Sequence, residues 1–323
     1  MKNFFGWLCV LWLLAACAPA AASQESAPAS TAGPTSTPEL EAADPPVDLT
    51  PPPASPLVTP VPTDKPEFSP RRIPTTTATR IAPTPFPSPT RPAAHETRVP
   101  VLMYHHIAVP PPIRDAIRFD LSVWPENFEQ QLAYFETQGF HSVKLEDVYD
   151  AVTKNAPLPS KPIVFTFDDG YDDNYANAMP ILQKHKFIGT FYIPTGLLER
   201  PGYMTWAQVV ELSKAGMDVE SHSVSHPSLK AKPLEFLRKE LGDSKRALEM
   251  MLGKPVLFFC YPSGQYDALT IQVLQELGYL SATTTYSGAW QNAAMPYEWP
   301  RVRIHGGDTL NQVAGRVRDM VGR

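Results

Sequence analysis

Cysteine is scarce in this sequence, and its scarcity limits how the fold can be held together. The chain has 3 cysteines among 323 residues. Cys9 and Cys17 lie close to the amino terminus, and Cys260 stands alone in the rest of the chain. No disulfide can therefore form within residues 99–323, which must be stabilised by their apolar core alone.

An excess of positive charge is also absent. The chain has 28 Lys and Arg against 33 Asp and Glu, a formal net charge of −5 at pH 7, and no basic run. Because proteins that bind nucleic acids usually present a strongly basic surface, nucleic acid is not expected as a partner. A neutral or mildly cationic substrate suits this net negative charge at least as well as an anionic one.

The apolar run at the amino terminus is too short to span a bilayer. It extends from Phe4 to Leu14 after Lys2, whereas a transmembrane helix needs about 20 apolar residues. This pattern is typical of a signal peptide, here over residues 1–16.

The run ends in Leu14-Ala15-Ala16-Cys17, which resembles the lipobox of bacterial lipoproteins. The resemblance implies cleavage before Cys17 and acylation of its thiol and its new amino group. Two or more acyl chains hold a protein stably on a membrane. We therefore expect an exported protein, lipid-anchored to the outer face of the cell membrane. Ordinary secretion, with the cysteine in or near the discarded peptide, is the alternative.

Residues 17–98 have the composition of a disordered linker. More than half of the 37 prolines lie in this stretch, which is also rich in Thr, Ser and Ala. Such a segment buries too little apolar surface to offset the entropy lost on ordering. It would serve either to give a tethered domain reach or as a passive spacer.

Residues 99–323 form one predicted α/β domain in which strands and helices alternate. Strands are predicted over 99–104, 162–167, 189–193, 217–221, 256–259, 281–285 and 302–304, and helices over 125–138, 175–186, 205–215, 233–252, 267–277 and 309–321. This alternation predicts a parallel (β/α) barrel, in which the chemistry lies at the carboxyl ends of the strands.

Two polar motifs fall at such strand ends. Thr166-Phe167-Asp168-Asp169-Gly170 places two carboxylates and a flexible glycine after a strand, although an ordinary acidic turn has the same composition. In the second motif His222 and His226 are four residues apart, and on a helical turn both would face one cation. Two imidazoles and a carboxylate form a three-ligand set typical of a catalytic metal site.

The order of the two motifs, T-F-D-D-G and then H-S-x-x-H-P about 50 residues later, resembles the polysaccharide deacetylases with a NodB-homology domain (carbohydrate esterase family 4). The resemblance extends over residues 99–323 and implies a distorted (β/α) barrel. The opening V-L-M-Y-H-H over 101–106 is similar to the start of the subgroup that acts on poly-N-acetylglucosamine.

The resemblance also implies roles for four residues. Asp168 corresponds to the general base, and Asp169, His222 and His226 correspond to the ligands of one divalent metal. Zinc is the expected metal, and cobalt and nickel also suit nitrogen and oxygen ligands. In such a site the metal would polarise the amide carbonyl, and the base would take a proton from the attacking water.

A third motif of the family matches Tyr261, Pro262 and Ser263, which the resemblance places in the substrate groove, with a backbone N–H nearby that stabilises the oxyanion. Trp290 is the candidate apolar wall, although the family's Asp-x-x-Asp-Trp pattern is absent. His105, at the end of the first strand, is a further candidate for the groove.

The chain departs from the family at two catalytic positions. Where many members carry an arginine that orients the base, this chain has Cys260, and Arg301 or Arg303 on a neighbouring strand are the candidate substitutes. The family's general acid is a late histidine, for which His305 is the candidate and His105 the competitor.

The resemblance implies a monomeric, metal-dependent hydrolase that removes N-acetyl groups from an N-acetylhexosamine polymer, either peptidoglycan or poly-N-acetylglucosamine. One alternative is O-deacetylation of an acetylated xylan-like glycan with the same machinery. The other is a catalytically silent carbohydrate-binding lipoprotein, which the missing arginine brings into consideration.

Overall fold

The computed structural model describes residues 96–111 and 115–321. The predicted signal segment, Cys17 and the predicted linker up to residue 95 lie outside the described residues. The last three residues of the predicted linker, Glu96–Arg98, form a short strand, so the linker prediction is wrong there. Within the described ranges, no helix is both long enough and apolar enough to cross a bilayer.

Short and long strands alternate with helices along the described chain. The strands are β1 (Glu96–Arg98), β2 (Val101–Tyr104), β3 (His106–Ile107), β4 (Ser122–Val123), β5 (His141–Ser142), β6 (Pro162–Phe167), β7 (Gly189–Ile193), β8 (Asp218–Ser221), β9 (Phe258–Cys260), β10 (Ser281–Ser287), β11 (Trp290–Asn292) and β12 (Trp299–Arg303). The α-helices are α1 (Ala116–Leu121), α2 (Pro125–Thr137), α3 (Leu145–Lys154), α4 (Met179–Lys184), α5 (Trp206–Lys214), α6 (Leu234–Leu252), α7 (Ala268–Glu276) and α8 (Leu310–Val321). A π-helical turn (Asn174–Ala178) leads into α4, and a 3₁₀ turn (Pro262–Gly264) follows β9.

Seven of these strands close into a parallel barrel. They are hydrogen-bonded in the order β2-β12-β10-β9-β8-β7-β6, and β6 pairs back with β2 to complete the ring. In this closing pair Leu102 lies opposite Phe165, and on the other side of β2 it lies opposite Val302. The short β5 adds to β6 outside the ring. The predicted (β/α) barrel is therefore confirmed.

Burial on both faces explains why the barrel strands are almost continuously apolar. All four residues of β2 are buried, as are the last five of β6. On the helices only one face is buried, and in α2 it includes Phe128, Leu132 and Phe135. The core thus lies inside the barrel and between the barrel and its helices.

Several helix ends coincide with the predicted ones because their capping residues are explicit in the sequence. Thr205 caps α5 by accepting a hydrogen bond from the backbone N–H of Gln208, and Asp267 caps α7 in the same way through Thr270. The predicted helix over 175–186 is wrong in its first part, where the chain forms the π-helical turn.

Candidate active site

The site begins where β6 ends, in a backbone turn that few residues adopt. Asp169 has φ 74° and Gly170 has φ 68°, so two successive residues are left-handed. Glycine adopts this conformation readily, but for an aspartate it costs on the order of 1 kcal/mol or more. The turn brings the carboxylates of Asp168 and Asp169 to the same cavity, although neighbouring residues on a strand point in opposite directions.

Asp168 is buried and held by an arginine from β12. Its side chain is 4% exposed, and both carboxylate oxygens accept hydrogen bonds of 2.7 Å from the Arg301 guanidinium. Burial alone would raise the pKa of Asp168, but the bidentate guanidinium outweighs it and holds the pKa below its ordinary value.

The Arg301 guanidinium is itself fully buried, with partners for its donors. Its Nε donates to the carbonyl oxygen of Thr284 (2.9 Å), and its terminal nitrogens also contact Thr166 Oγ1 (3.0 Å) and Cys260 Sγ (3.1 Å). Arg301 therefore contacts Cys260, the residue at the position of the family arginine, and pairs with Asp168 beside it. Of the two candidate substitutes the structure selects Arg301, because Arg303 instead pairs with Asp120 at 2.7 Å.

Three side chains beside this pair form a compact set of metal-ligating atoms. Asp169 Oδ1 lies 3.2 Å from His222 Nε2 and 3.0 Å from His226 Nε2. One ligand atom from each residue lies within 4.8 Å of the others. Two imidazole nitrogens and one carboxylate oxygen suit Zn²⁺ and similar divalent ions and leave coordination positions open.

A hydrogen bond at His222 Nδ1 leaves His222 Nε2 as the nitrogen that can bind a metal. His222 Nδ1 lies 2.7 Å from the carbonyl oxygen of Cys260, an acceptor-only group, so Nδ1 carries the proton. The Nε2 lone pair is then directed towards Asp169 and His226, as in many metal sites where a carbonyl orients the ligating imidazole.

His222 and His226 do not lie on a helical turn, so that part of the sequence prediction is wrong. The segment is an irregular loop in which Ser223 (φ 69°) and His226 (φ 58°) are left-handed. Glu240 of α6 fastens the loop, because its carboxylate accepts from the backbone N–H groups of Val224 and Ser225 at 3.0 and 2.8 Å. The two imidazoles still converge, with ring centroids 4.9 Å apart.

The metal-ligating set and Asp168 open onto one cavity of about 410 Å³. Its lining residues are His105, Leu121, Asp168, Asp169, Tyr171, His222, His226, Tyr261, Ser263, Thr285 and Arg303. Pro262, which stands between Tyr261 and Ser263 in the sequence, is buried and is not part of the lining. The cavity therefore unites both carboxylates, both imidazoles and two residues of the third motif.

The third motif lies close against β10. Gly264 has φ 65°, and a Cβ at this position would lie 2.1 Å from Thr285 Oγ1, so only glycine permits the contact. The backbone N–H of Tyr261 donates to the carbonyl oxygen of Thr283 at 3.2 Å. In this arrangement the Tyr261 N–H is not available as the oxyanion donor that the resemblance implies.

The two candidate acids occupy different places. His105 lines the cavity, and its Nε2 lies 3.9 Å from Asp168 Oδ2. His305 is not part of the lining; its side chain is 41% exposed and its Nδ1 pairs with Asp120 Oδ1 at 2.8 Å. The structure therefore brings His105, and not His305, to the base.

Trp290 is not among the residues that line the cavity, contrary to the expectation that it forms an apolar wall. It pairs with Arg98 in the small β1–β11 sheet, and the guanidinium of Arg98 stacks 3.7 Å from the indole centroid. Because Arg98 precedes β2, this contact lies at the amino-terminal end of the barrel. After β10 the chain turns back along the barrel, which carries the tryptophan away.

Sequence reasoning missed Tyr171, Leu121, Thr285 and Glu240. Tyr171 directly follows the Asp-Asp-Gly turn, so its position in the sequence was an available signal. The other three come from α1, β10 and α6, and their proximity depends on how those elements pack.

Comparison with known proteins agrees with this arrangement. Residues 155–282 match the family model described as polysaccharide deacetylase. The deacetylase PplD of Streptococcus pyogenes, solved in complex with acetate, is 31% identical with a TM-score of 0.65, and the match covers 69% of this chain and 99% of that one.

Two curated relatives match over shorter parts of their length. The poly-β-1,6-N-acetyl-D-glucosamine N-deacetylase of Escherichia coli K12 is 25% identical over 241 residues, which cover 61% of this chain and 36% of that protein. The peptidoglycan-N-acetylglucosamine deacetylase of Bacillus cereus is 28% identical over 129 residues, 40% of this chain and 58% of that protein. Since nearly the whole of the streptococcal deacetylase is matched at 31% identity, this chain belongs to the polysaccharide deacetylase family.

Proposed function

We propose that this protein is a metal-dependent hydrolase that removes N-acetyl groups from an N-acetylhexosamine-containing polysaccharide of the cell envelope. The observation that carries the proposal is the meeting of Asp169, His222 and His226 with the Asp168–Arg301 pair at one cavity. Amide hydrolysis needs an activated water, a polarised carbonyl and a proton for the leaving amine, and this cavity offers groups for each.

The residues present fit a divalent metal. Asp169, His222 and His226 would hold it, and the carbonyl that orients His222 supplies the supporting contact common in such sites. When bound, the metal supplies Lewis-acid polarisation of the scissile carbonyl and activation of water. The family implies a divalent ion, and for this chain we propose zinc, with cobalt or nickel as substitutes.

Asp168 acts as the base that accepts a proton from the attacking water. The guanidinium of Arg301 holds its pKa low, so the carboxylate is ionised at neutral pH. The same guanidinium fixes the orientation of both carboxylate oxygens. Arg301 supplies the positive partner that is absent at position 260. The missing arginine was the main reason for considering a catalytically silent protein, and that reason no longer applies.

His105 is the proposed acid for the leaving amine. Its imidazole lines the cavity beside Asp168, whereas His305 is turned to Asp120 outside it. Burial lowers the pKa of His105 against the opposing effect of the two neighbouring carboxylates. A lowered pKa leaves a smaller fraction of the imidazole protonated at neutral pH, so the assignment of His105 as the acid rests on its position beside Asp168 in the cavity.

An N-acetylated envelope polymer is the proposed substrate because the relatives named above act on poly-N-acetylglucosamine and on peptidoglycan. Removal of the acetyl group leaves an amine that is cationic at neutral pH, which changes the charge of the polymer. Export and lipidation at Cys17 would place the catalytic domain, proposed to act as a monomer, next to such a polymer.

Acetate release tests this function. The full chain is incubated with β-1,6-linked and β-1,4-linked N-acetylglucosamine oligomers, with peptidoglycan and with acetylated xylan, each with chelator and with chelator followed by Zn²⁺. We expect acetate from at least one N-acetylated polymer, loss with chelator and recovery with Zn²⁺. Release from xylan alone would replace the proposal with O-deacetylation, and release from none would overturn it.

A further inference from the structure

Three tyrosine rings form a continuous row from the cavity to the protein surface, which we call the tyrosine row. Tyr261 lines the cavity, and its ring stacks on Tyr266 with centroids 4.1 Å apart and planes 16° apart. Tyr266 in turn meets Tyr286 edge to face, with centroids 6.5 Å apart and planes at 68°. The row thus connects the third motif with the end of β10.

The outermost ring of the row is free to meet a ligand. Tyr286 is 61% exposed, and it directly follows Thr285, which lines the cavity. Folded proteins usually bury the large apolar area of a tyrosine, and an exposed ring beside a cavity is typical of a binding surface. The row therefore extends the cavity wall outward rather than belonging to the core.

The inner rings are fixed in place by their hydroxyl groups. Tyr261 donates to the carbonyl oxygen of Tyr297 at 3.0 Å, and Tyr266 donates to Glu298 Oε1 at 2.9 Å. The backbone of Tyr286 is restrained as well, since its N–H donates to Thr284 Oγ1 at 3.1 Å. The two inner rings therefore form a fixed support for Tyr286 and lose little conformational freedom when a ligand binds.

We propose that Tyr286, supported by Tyr266, binds a sugar unit of the polysaccharide adjacent to the unit being deacetylated. A pyranose ring carries C–H groups on its faces and hydroxyl groups on its edge, so it can stack on tyrosine while its edge stays hydrated. A cavity of about 410 Å³ encloses only a short piece of a polymer, and the rest of the chain must follow its rim. The inference rests on the proposed function, and it identifies the tyrosine row as the part of the cavity rim along which the polymer lies.

The test is equilibrium binding as a function of oligomer length. Titration calorimetry is performed with N-acetylglucosamine oligomers of one, two and five units in both linkages. Two non-hydrolysing backgrounds are used, the Asp168→Asn chain with Zn²⁺ and the chelator-treated wild-type chain, so that a folding defect in one does not end the test. Tyr286→Ala is introduced into each.

We expect Tyr286→Ala to weaken binding of the pentamer by about tenfold in at least one linkage, and to leave the monosaccharide unchanged. Tyr286→Phe keeps the ring and should stay within about twofold of the parent. Trp290→Ala removes an exposed aromatic ring at the opposite end of the barrel and serves as the matched control.

Equal effects on monosaccharide and pentamer, an unchanged pentamer affinity, or no binding of any oligomer would overturn the inference. If acetate is released but Tyr286→Ala leaves the pentamer affinity unchanged, the inference fails and the proposed function stands. If no acetate is released but Tyr286→Ala still weakens pentamer binding selectively, the proposed function fails, and Tyr286 is then a sugar-binding residue beside a cavity that does not deacetylate these polymers.

Discussion

At the scale of single residues, the Asp168–Arg301 pair determines the protonation state of the proposed base. A buried carboxylate without a partner would have a raised pKa, and the guanidinium reverses the direction of that shift. Because the folded-state pKa is depressed, the pair stabilises the fold fully above the unfolded pKa of about 3.9. That contribution is lost as the pH falls through the lower folded-state pKa.

Replacing Arg301 by methionine should move the acidic limb of the kcat/KM profile to higher pH. Without the guanidinium the pKa of Asp168 rises, by about one to three units, so the base is protonated over a wider pH range. Arg301→Lys keeps a positive charge and should shift the limb less. The profiles are measured as initial rates of acetate release on variants whose folding is checked by circular dichroism.

Arg316→Lys is the control for this prediction, since Arg316 makes a similar bidentate pair with Asp308 outside the cavity lining. Its acidic limb should match the wild type. A folded Arg301→Met chain with an unshifted limb would show that the guanidinium does not set the pKa of the base.

At the scale of secondary-structure elements, the loop after β8 presents two of the proposed metal ligands and depends on α6 for its shape. The loop is irregular and has left-handed residues at Ser223 and His226, so it has no helical hydrogen bonds to hold it. The carboxylate of Glu240 restrains it by accepting three hydrogen bonds from Val224 and Ser225, in addition to the backbone hydrogen bonds that the loop accepts from Thr195 and Gly196.

Glu240→Ala should reduce Zn²⁺ affinity by about 10- to 100-fold, the usual range when a group that supports metal ligands is removed. Affinity is measured by competition with a chromogenic chelator, so the result does not depend on catalysis. Glu235→Ala, on the exposed first turn of the same helix, is the control. Unchanged affinity in a folded Glu240→Ala chain would mean that the loop keeps its shape unaided.

The elements also show which parts of the fold follow from sequence and which do not. The apolar strand β6 and the capped helix α5 were predicted with accurate bounds because their periodicity and Thr205 cap are local signals. The two-residue strands β3, β4 and β5 were missed, since so short a segment carries no period. The helix α3 was also missed, although Leu145, Val148 and Val152 have helical spacing.

The same distinction applies to the site. The motifs around Asp168 and His222 were identified from sequence because consecutive residues carry the chemistry. Arg301 and Asp168 are 133 positions apart, so the sequence could offer Arg301 only as one of two candidates, beside Arg303. The placement of Trp290 was wrong because the return of the chain after β10 depends on pairing with β1, which no local pattern indicates.

At the scale of the whole molecule, the site is assembled from six of the seven strands of the closed barrel. His105, Asp168, Asp169, His222 and Cys260 follow or end β2, β6, β8 and β9, whereas Thr285 and Arg301 lie within β10 and β12. Parallel strands in a ring direct all their carboxyl ends to one rim, which is why residues so distant in sequence meet there. Closure of the ring by β2 and β6 is therefore a condition for the chemistry.

The proposed membrane anchor is tested at this scale by Cys17→Ser. In a bacterial host, wild-type chains should incorporate radiolabelled palmitate and sediment with membranes, because acylation of Cys17 supplies the anchor. The Cys17→Ser chain should lose both properties. Cys260→Ser serves as the control for general thiol effects, and labelling that persists in Cys17→Ser would exclude the lipobox assignment.

The most direct test of the central claim compares Zn²⁺ content with turnover in two variants. Asp168→Asn should retain about one Zn²⁺ per chain and release no acetate, because it alters the proposed base and leaves the three ligands intact. His222→Ala should lose both the metal and the activity. Zn²⁺ is measured by mass spectrometry on dialysed protein. Wild-type turnover by Asp168→Asn, or a full complement of zinc in His222→Ala, would contradict the division of roles between base and metal ligands.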